Sequence, residues 1–180
     1  MAKGNIKKFR LNETDDIIDA VDRKKRSEQR QIRERSLGGF ACVHCSRWIS
    51  IDHNVGTHNR NHCPTCLWSR HMDGDKPGDR KSECHGAMEP IALALKAEGA
   101  DKYSASLRMG ELMLVHECLS DGKIRINRIA GDDNVDSLQN VFYSSQGLSV
   151  PERKKLEELE IEIATLSIES EITAQLIGRL

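Results

Sequence analysis

Aromatic side chains and long apolar runs are scarce in this sequence. Phe, Trp and Tyr make up 4% of its 180 residues, and hydrophobic residues of all kinds make up 38%. The longest aliphatic run, Ile91 to Leu95, is too short to cross a bilayer, and the N-terminal residues lack the apolar segment of a secretory signal. We therefore expect a cytoplasmic protein with no membrane partner. A core this lean is plausible where a bound metal contributes to stability.

Motifs of nucleotide and acyl chemistry are also missing. The sequence contains no Gly-rich phosphate loop, no nucleophile elbow and no dinucleotide-binding fingerprint. These absences favour a non-enzymatic protein. The enzyme class that stays open as an alternative is a metal-dependent nuclease or other phosphodiester hydrolase.

Four of the six cysteines form two Cys-x-x-Cys pairs, Cys42 with Cys45 and Cys63 with Cys66, separated by 17 residues. Each pair can close a tight turn, here called a knuckle, and the spacer is long enough to bring the second knuckle to face the first. In the cytoplasm these thiols would stay reduced. We predict one tetrahedral Zn²⁺ bound by the four thiolates, in a fold of zinc-ribbon β-hairpins. The alternatives are metal-free structural cysteines or two redox motifs.

The second knuckle lies in a recognisable motif, because Arg60 to Pro64 reads RNHCP. This stretch resembles the signature of the RNHCP domain family, and the resemblance covers roughly residues 40–140. It extends through Cys66-Leu67, Ser69, His71-Met72-Asp73, Pro77-Gly78-Asp79-Arg80, Cys84, Gly86, Met88-Glu89-Pro90-Ile91, His116, Cys118, Gly122 and Asn127 to Asn134. The resemblance implies a small bacterial zinc-binding domain and no particular activity.

A second metal site is less well defined. The family usually has a His-x-Cys-x-x-Cys-Gly stretch, whereas residues 116–122 read HECLSDG, with Asp121 in the place of the second cysteine. A second Zn²⁺ could be bound by Cys84, Cys118, Asp121 and either His116 or His85, since zinc accepts mixed ligands. The alternative is a metal-free hairpin with strands at 111–118 and 123–130.

A third group of polar residues has the composition of a catalytic site. His62, His71, Asp132 and Asp133 could hold a divalent ion or act as acid and base in phosphodiester cleavage. The same side chains could instead satisfy backbone groups in the loops beside the zinc. The sequence favours the structural interpretation.

The segments outside the RNHCP-like region, which we place at residues 38–148, differ from it in composition. Residues 1–37 form a helical or disordered arm whose basic side chains could contact phosphates, or could pair with Glu28 and Glu34 on a solvated helix. These basic residues are Arg23, Lys24, Lys25, Arg26, Arg30, Arg33 and Arg35. Net charge is +6 over residues 1–81 and −7 over residues 82–180, which favours a negatively charged partner on the N-terminal side.

Residues 149–180 are predicted to form a C-terminal amphipathic helix. Ser149 and Glu152 read as a capping box, and Leu159, Ile163 and Leu166 recur at helical spacing. The apolar face should be buried against its own domain, a second copy in a homodimer, or a protein partner. We also expect a short helical stretch within residues 92–110 that is interrupted by Gly99. Residues 135–148 should form a short helix or a loop with Leu138, Val141 and Phe142 facing inward.

Together these features predict a small α+β protein. The function that we expect is a non-enzymatic zinc-ribbon module that binds RNA or a ribonucleoprotein such as the ribosome. The alternatives are the metal-dependent nuclease and a protein-interaction adaptor that assembles through residues 150–180.

Overall fold

An antiparallel sheet lies at the centre of the protein. The computed structural model describes residues 13–51, 60–74, 76–96 and 110–177. Within them the strands are β1 Gly39–Ala41, β2 Trp48–Ser50, β3 Ser69–Arg70, β4 Ala87–Leu95, β5 Leu112–Cys118, β6 Ile124–Arg128 and β7 Glu162–Ile163. The central sheet has the order β3-β4-β5-β6, with β7 paired to β4, while β1 and β2 form a separate hairpin.

The described helices are α1 Glu13–Ser36, α2 Val135–Ser145, α3 Val150–Glu158 and α4 Glu169–Ile177, with a 3-10 turn at Leu166–Ile168. The predicted α+β class is confirmed. Of the forms left open by the sequence, the arm is helical over α1 and the segment after Asn134 is helical over α2. Leu138 and Phe142 face the core as expected. Among the described residues no helix combines the length and the apolar character needed to cross a membrane.

The two faces of the sheet carry separate hydrophobic clusters because strand side chains alternate between faces. Leu93 and Leu114 pack with residues of α2 and α4 on one face. Ala92, Ala94 and Val115 pack with Leu156 of α3 on the other. The C-terminal helices therefore bury their apolar side chains against the sheet of their own chain.

The prediction of a helical stretch from Ala92 is wrong, because Ala92 to Leu95 belong to β4. Leu93 pairs with Leu114 and Leu95 with Leu112 in the ladder to β5. Alanine and leucine favour helices in isolation, but their propensity is worth only tenths of a kcal/mol per residue, and tertiary pairing on a sheet buried on both faces overrides it. The rest of that predicted segment, residues 97–109, lies outside the described residues.

The C-terminal segment is not one continuous helix, which corrects the prediction for residues 149–180. The capping box of Ser149 and Glu152 starts α3 as expected, but α3 ends at Glu158 and the chain turns through Glu160, whose φ is +56°. It then runs along β4, where Ile163 pairs with Ala94 and the Ala164 amide donates to Leu93 O at 2.8 Å. This part of β4 extends beyond β3, so its edge groups need other partners.

Because the segment is not one helix, the side chains that it buries differ from those predicted. Leu159 and Leu166, both predicted to be buried, are 51% and 53% exposed, and Ile163 is half-buried. The buried residues of the segment are Leu156, Ile161, Ala164, Ile172 and Leu176. Residues 178–180 lie outside the described part of the chain.

Candidate metal centre

The first knuckle is formed by the turn of the β1–β2 hairpin. The Cys42 amide donates to Arg47 O at 2.8 Å, and the Ser46 amide donates back to Cys42 O at 3.2 Å. Ser46 closes the turn with φ at +59°. The amides of His44 and Cys45 both lie 3.4 Å from Cys42 Sγ and donate to it. These contacts hold both thiols of the pair on one side of the turn.

The second knuckle repeats this backbone pattern. The Cys63 amide donates to Trp68 O at 2.9 Å, and the Leu67 amide donates to Cys63 O at 2.8 Å. Leu67 has φ at +64° and is fully buried. The two knuckles are therefore the same local structure formed by different sequences, as the matching Cys-x-x-Cys pairs predict.

The four sulfurs of the two knuckles come together at the spacing that a tetrahedral metal requires. Cys42 Sγ lies 3.5 Å from Cys66 Sγ, and Cys45 Sγ lies 3.7 Å from Cys63 Sγ. All four lie within 4.8 Å of one another. A Zn–S bond of about 2.3 Å in tetrahedral geometry places sulfurs roughly 3.8 Å apart. The cluster therefore fits one metal ion, and four thiolates are a donor set suited to zinc.

Without a metal, burial opposes ionisation of some of these thiols. Burial raises the pKa of Cys63 and of Cys66, because a thiolate there would lose its hydration. The pKa of Cys45 is lowered to about 7, chiefly by the hydrogen bond from the Arg47 amide, and this thiol is exposed. A divalent cation would supply the charge that stabilises the buried thiolates.

Three contacts from two elements hold the second knuckle from outside. His116 on β5 contacts Leu67 O through Nε2 at 2.8 Å. The Asn134 amide, at the start of α2, donates to Pro64 O at 2.8 Å. The Ser137 hydroxyl donates to Thr65 O at 2.7 Å. The position of the second knuckle is thus determined by the central sheet and α2.

His116 has no free nitrogen for a metal. Its Nε2 donates to the carbonyl of Leu67, while Asn127 Nδ2 donates to Nδ1 at 3.0 Å. Burial lowers the pKa of His116 to about 3, so the ring is neutral at ordinary pH. The prediction that His116 binds the second metal is therefore replaced by a role in holding the second knuckle.

The residues considered for catalysis are divided between two places. His62 Nε2 lies 3.0 and 2.9 Å from the carboxylate oxygens of buried Asp133, and the Ala130 amide donates to Asp133 at 2.7 Å. Asp132 accepts two hydrogen bonds from Arg60. Burial alone would raise the pKa of Asp132, but the hydrogen bond and charge of Arg60 outweigh it and lower that pKa. These contacts join the loops beside the four-cysteine cluster.

The fourth candidate, His71, belongs to a different cluster. His71, Cys84, Cys118 and Asp121 each offer one ligand atom, and these atoms all lie within 4.8 Å of one another. Cys84 Sγ is 3.6 Å from Cys118 Sγ, and His71 Nδ1 is 3.3 Å from Asp121 Oδ2. Of the predicted second-site ligands, Cys84, Cys118 and Asp121 are brought together, and His71 takes the place predicted for His116 or His85.

The sequence does not place His71 with Cys84 and Cys118 in the second site because its spacing is not diagnostic. His71 follows β3 directly and Cys84 precedes β4, so the pairing of β3 with β4 brings the two ends of the intervening loop together. Only that pairing distinguishes His71 from His85, which is next to Cys84 in the sequence.

The basic arm is attached to the metal centre at one end. Arg70 Nη1 donates to Glu34 Oε2 at 3.2 Å, and Arg70 Nη2 donates to Ala41 O at 3.3 Å, next to the first knuckle. The predicted phosphate-binding residues Lys25, Arg26, Arg30 and Arg33 are exposed along α1. The side chains of Arg23, Lys24 and Arg35 lie outside the described residues.

The fold and the cysteine cluster define a small α+β protein in which four clustered thiols could hold a metal ion. Residues 37–139 match the RNHCP domain family, and because this is more than half of the sequence the chain belongs to that family. No curated protein and no solved structure matches the chain.

Proposed function

We propose that this protein is a non-enzymatic zinc-ribbon module that binds RNA or ribonucleoprotein through α1 and the surface of the first knuckle. The observation that carries the proposal is the placement of α1. Lys25, Arg26, Arg30 and Arg33 are exposed, while Glu34 near the C-terminal end of α1 pairs with Arg70 beside the first knuckle. Exposed basic side chains on a helix that is joined to the cysteine cluster by this ion pair suit contacts to a phosphate backbone.

The ribbon part of the proposal is supported by the equivalence of the two knuckles. One is the turn of the β1–β2 hairpin, and the other precedes β3, where His62 and Ser69 form a bridge. Two such knuckles facing each other with four thiols are the usual construction of a structural zinc site. A closed four-thiolate site leaves no open coordination position for chemistry, which favours a binding module over an enzyme.

Aromatic rings lie on or next to the two knuckles. Trp48 on β2 is 46% exposed, and the His44 ring stacks on Trp68 with centroids 4.4 Å apart. An exposed ring can stack on a nucleobase, and such a contact is worth about 1–3 kcal/mol per base. Arg47, between Cys45 and Trp48, is exposed as well. Single-stranded RNA offers both the phosphates and the unpaired bases that this surface would recognise.

The salt dependence of RNA binding tests the proposal. A fluorescently labelled single-stranded RNA and a labelled RNA hairpin should bind the zinc-loaded protein at low salt and weaken steeply as salt rises. The variant with Lys25→Ala, Arg26→Ala and Arg33→Ala should lose affinity. Its slope of log affinity against log salt should fall by about 2, because each phosphate contact on a single strand contributes about 0.7.

A charge-matched control separates this surface from a general effect of net charge. Lys81, Lys96 and Lys154 are exposed and lie on other elements, so replacing these three with alanine should leave the slope unchanged. The proposal fails if wild type does not bind RNA at low salt, or if both triple variants bind equally well. RNA cleavage in Mg²⁺ that is lost in Asp132→Ala would replace it with the nuclease alternative.

A further inference from the structure

We infer that His71, Cys84, Cys118 and Asp121 form a second zinc site in which Asp121 occupies the second ligand position of a third knuckle. The turn after β5 carries the evidence. The Cys118 amide donates to Lys123 O at 2.9 Å, and the Gly122 amide donates back to Cys118 O at 2.9 Å. Gly122 has φ at +66°. These contacts have the same sequence offsets as those of the knuckles that begin at Cys42 and Cys63.

The equivalence assigns a role to Asp121. In the first two knuckles the residue three positions after the first cysteine is the second cysteine, and in the turn after β5 this position is Asp121. Its carboxylate lies in the cluster with the sulfurs of Cys84 and Cys118. An aspartate oxygen binds zinc at about 2.0–2.2 Å and can replace a thiolate as a ligand. A glycine at positive φ also closes metal-free hairpins, so the observation that identifies Asp121 as a ligand is its place in the cluster.

His71 provides independent evidence for a ligand. Both of its ring nitrogens are buried, and neither has a hydrogen-bond partner in the described structure. Nδ1 lies 3.3 Å from the Asp121 carboxylate, but the pair does not have the geometry of a hydrogen bond. A buried imidazole without a partner is costly. A metal ion between His71 and the two sulfurs would remove this cost.

The backbone around Cys84 approaches the site closely. His85 has φ at +50°, and a Cβ on Gly86 would lie 3.0 Å from Cys118 Sγ. The His71 amide donates to Gly86 O at 2.9 Å. The loop ends from β3 and β4 are thereby drawn against the turn after β5. Two of the three segments that contribute ligands are far from the third in sequence, so a metal would cross-link the sheet at this corner.

The second site should release its metal before the first. It has two thiolates rather than four, and Asp121 is exposed to solvent. A carboxylate is a harder ligand than a thiolate and holds zinc less firmly in competition with a chelator. We therefore expect two zinc ions per chain, released in two separate phases when a colorimetric chelator is added to the full-length protein.

The experiment counts metal by elemental analysis and follows its release in four variants. Asp121→Asn should eliminate the fast phase or accelerate it at least tenfold, and Asp121→Cys should slow it. Cys118→Ser should reduce the count from two to one and leave the slow phase unchanged. His85→Asn is the matched control, because asparagine tolerates positive φ and His85 is not in the cluster; this variant should retain two ions.

Cobalt substitution provides a readout that does not depend on metal affinity. Co²⁺ in the first site has four sulfur ligands, and Co²⁺ in the second has two, so Asp121→Cys should increase the sulfur-to-cobalt charge-transfer absorption of the loaded protein. Asp121 is exposed, so both of its variants should stay folded even if Cys118→Ser does not. A wild-type count of one zinc would overturn the inference. So would a count of two if both Asp121 variants released zinc at the wild-type rates.

Discussion

His62 Nε2 lies 2.9 Å from Oδ2 of Asp133, a residue 71 positions further along the chain. Arg60 pairs in the same way with Asp132, and the Asn134 amide donates to Pro64 O. The RNHCP stretch and the Asp132 to Asn134 stretch are therefore two halves of one structure around the second knuckle. This relationship explains their polar side chains by structure and without invoking catalysis.

Replacing Asp133 with alanine should destabilise the protein. The change leaves buried His62 and the Ala130 amide without their partner, and a buried polar group left unsatisfied costs about 1–3 kcal/mol. The denaturant midpoint at a fixed excess of zinc measures the effect. Glu157→Ala, on the exposed surface of α3, should change the free energy of unfolding by less than about 0.5 kcal/mol. Equal midpoints for the two variants would contradict the structural role of Asp133.

Ser137 should matter for the second knuckle although it is not a ligand. Its hydroxyl donates to Thr65 O at 2.7 Å, so Ser137→Ala should cost about 1 kcal/mol and speed the release of zinc from the first site. Ser144→Ala is the control, because Ser144 is exposed on the same helix. If both serine variants release zinc at the wild-type rate, α2 does not support the metal centre.

The last helix should stabilise the fold through one face. Ile172 is 2% exposed and packs in the same cluster as Leu93 and Phe142, whereas Ile177 is 53% exposed. Ile172→Ala should therefore cost about 2–5 kcal/mol, and Ile177→Ala less than about 0.5 kcal/mol. Thermal or denaturant unfolding distinguishes them. A larger effect at Ile177, accompanied by a change in sedimentation, would indicate that α4 serves assembly instead.

Cys63→Ser should remove the metal of the first site together with its local structure. Cys63 is fully buried, and metal binding and folding share one free energy where ligation holds the chain together. The count should fall by one zinc per chain, and amide exchange of the β1–β2 hairpin should become fast. Ser50→Ala, exposed on β2, should change neither. A folded Cys63→Ser protein with the full metal count would refute the four-cysteine assignment.

Much of the first metal centre could be predicted because a knuckle is local. The residues from Cys42 to Arg47 close their own hydrogen bonds, and those from Cys63 to Trp68 do the same. The spacing of the cysteines therefore carries the information. The helix beginning at Val135 was predictable for a similar reason, since Asn134 caps it by accepting from the Ser137 amide and its apolar residues have helical spacing.

The histidines could not be assigned in this way. His116 and His71 are both buried, but the hydrogen bonds from His116 to Leu67 and from Asn127 to His116 exist only when three distant segments are assembled. Likewise, the edge of β4 beyond β3 has unpaired backbone groups, and residues 162–163 pair with it as β7. The C-terminal segment is therefore divided into α3, β7 and α4 despite its helical pattern.

The sequence by itself determined the two Cys-x-x-Cys knuckles, the cluster of Lys and Arg in the C-terminal half of α1 and the membership of the RNHCP family, because these depend on residues that are neighbours in the chain. The tertiary structure alone decided that His71 and not His116 lies with Cys84 and Cys118, and that Ile172 and not Leu159 is buried. The physical reason is that burial and free ligand atoms depend on contacts between distant segments, which local spacing does not encode.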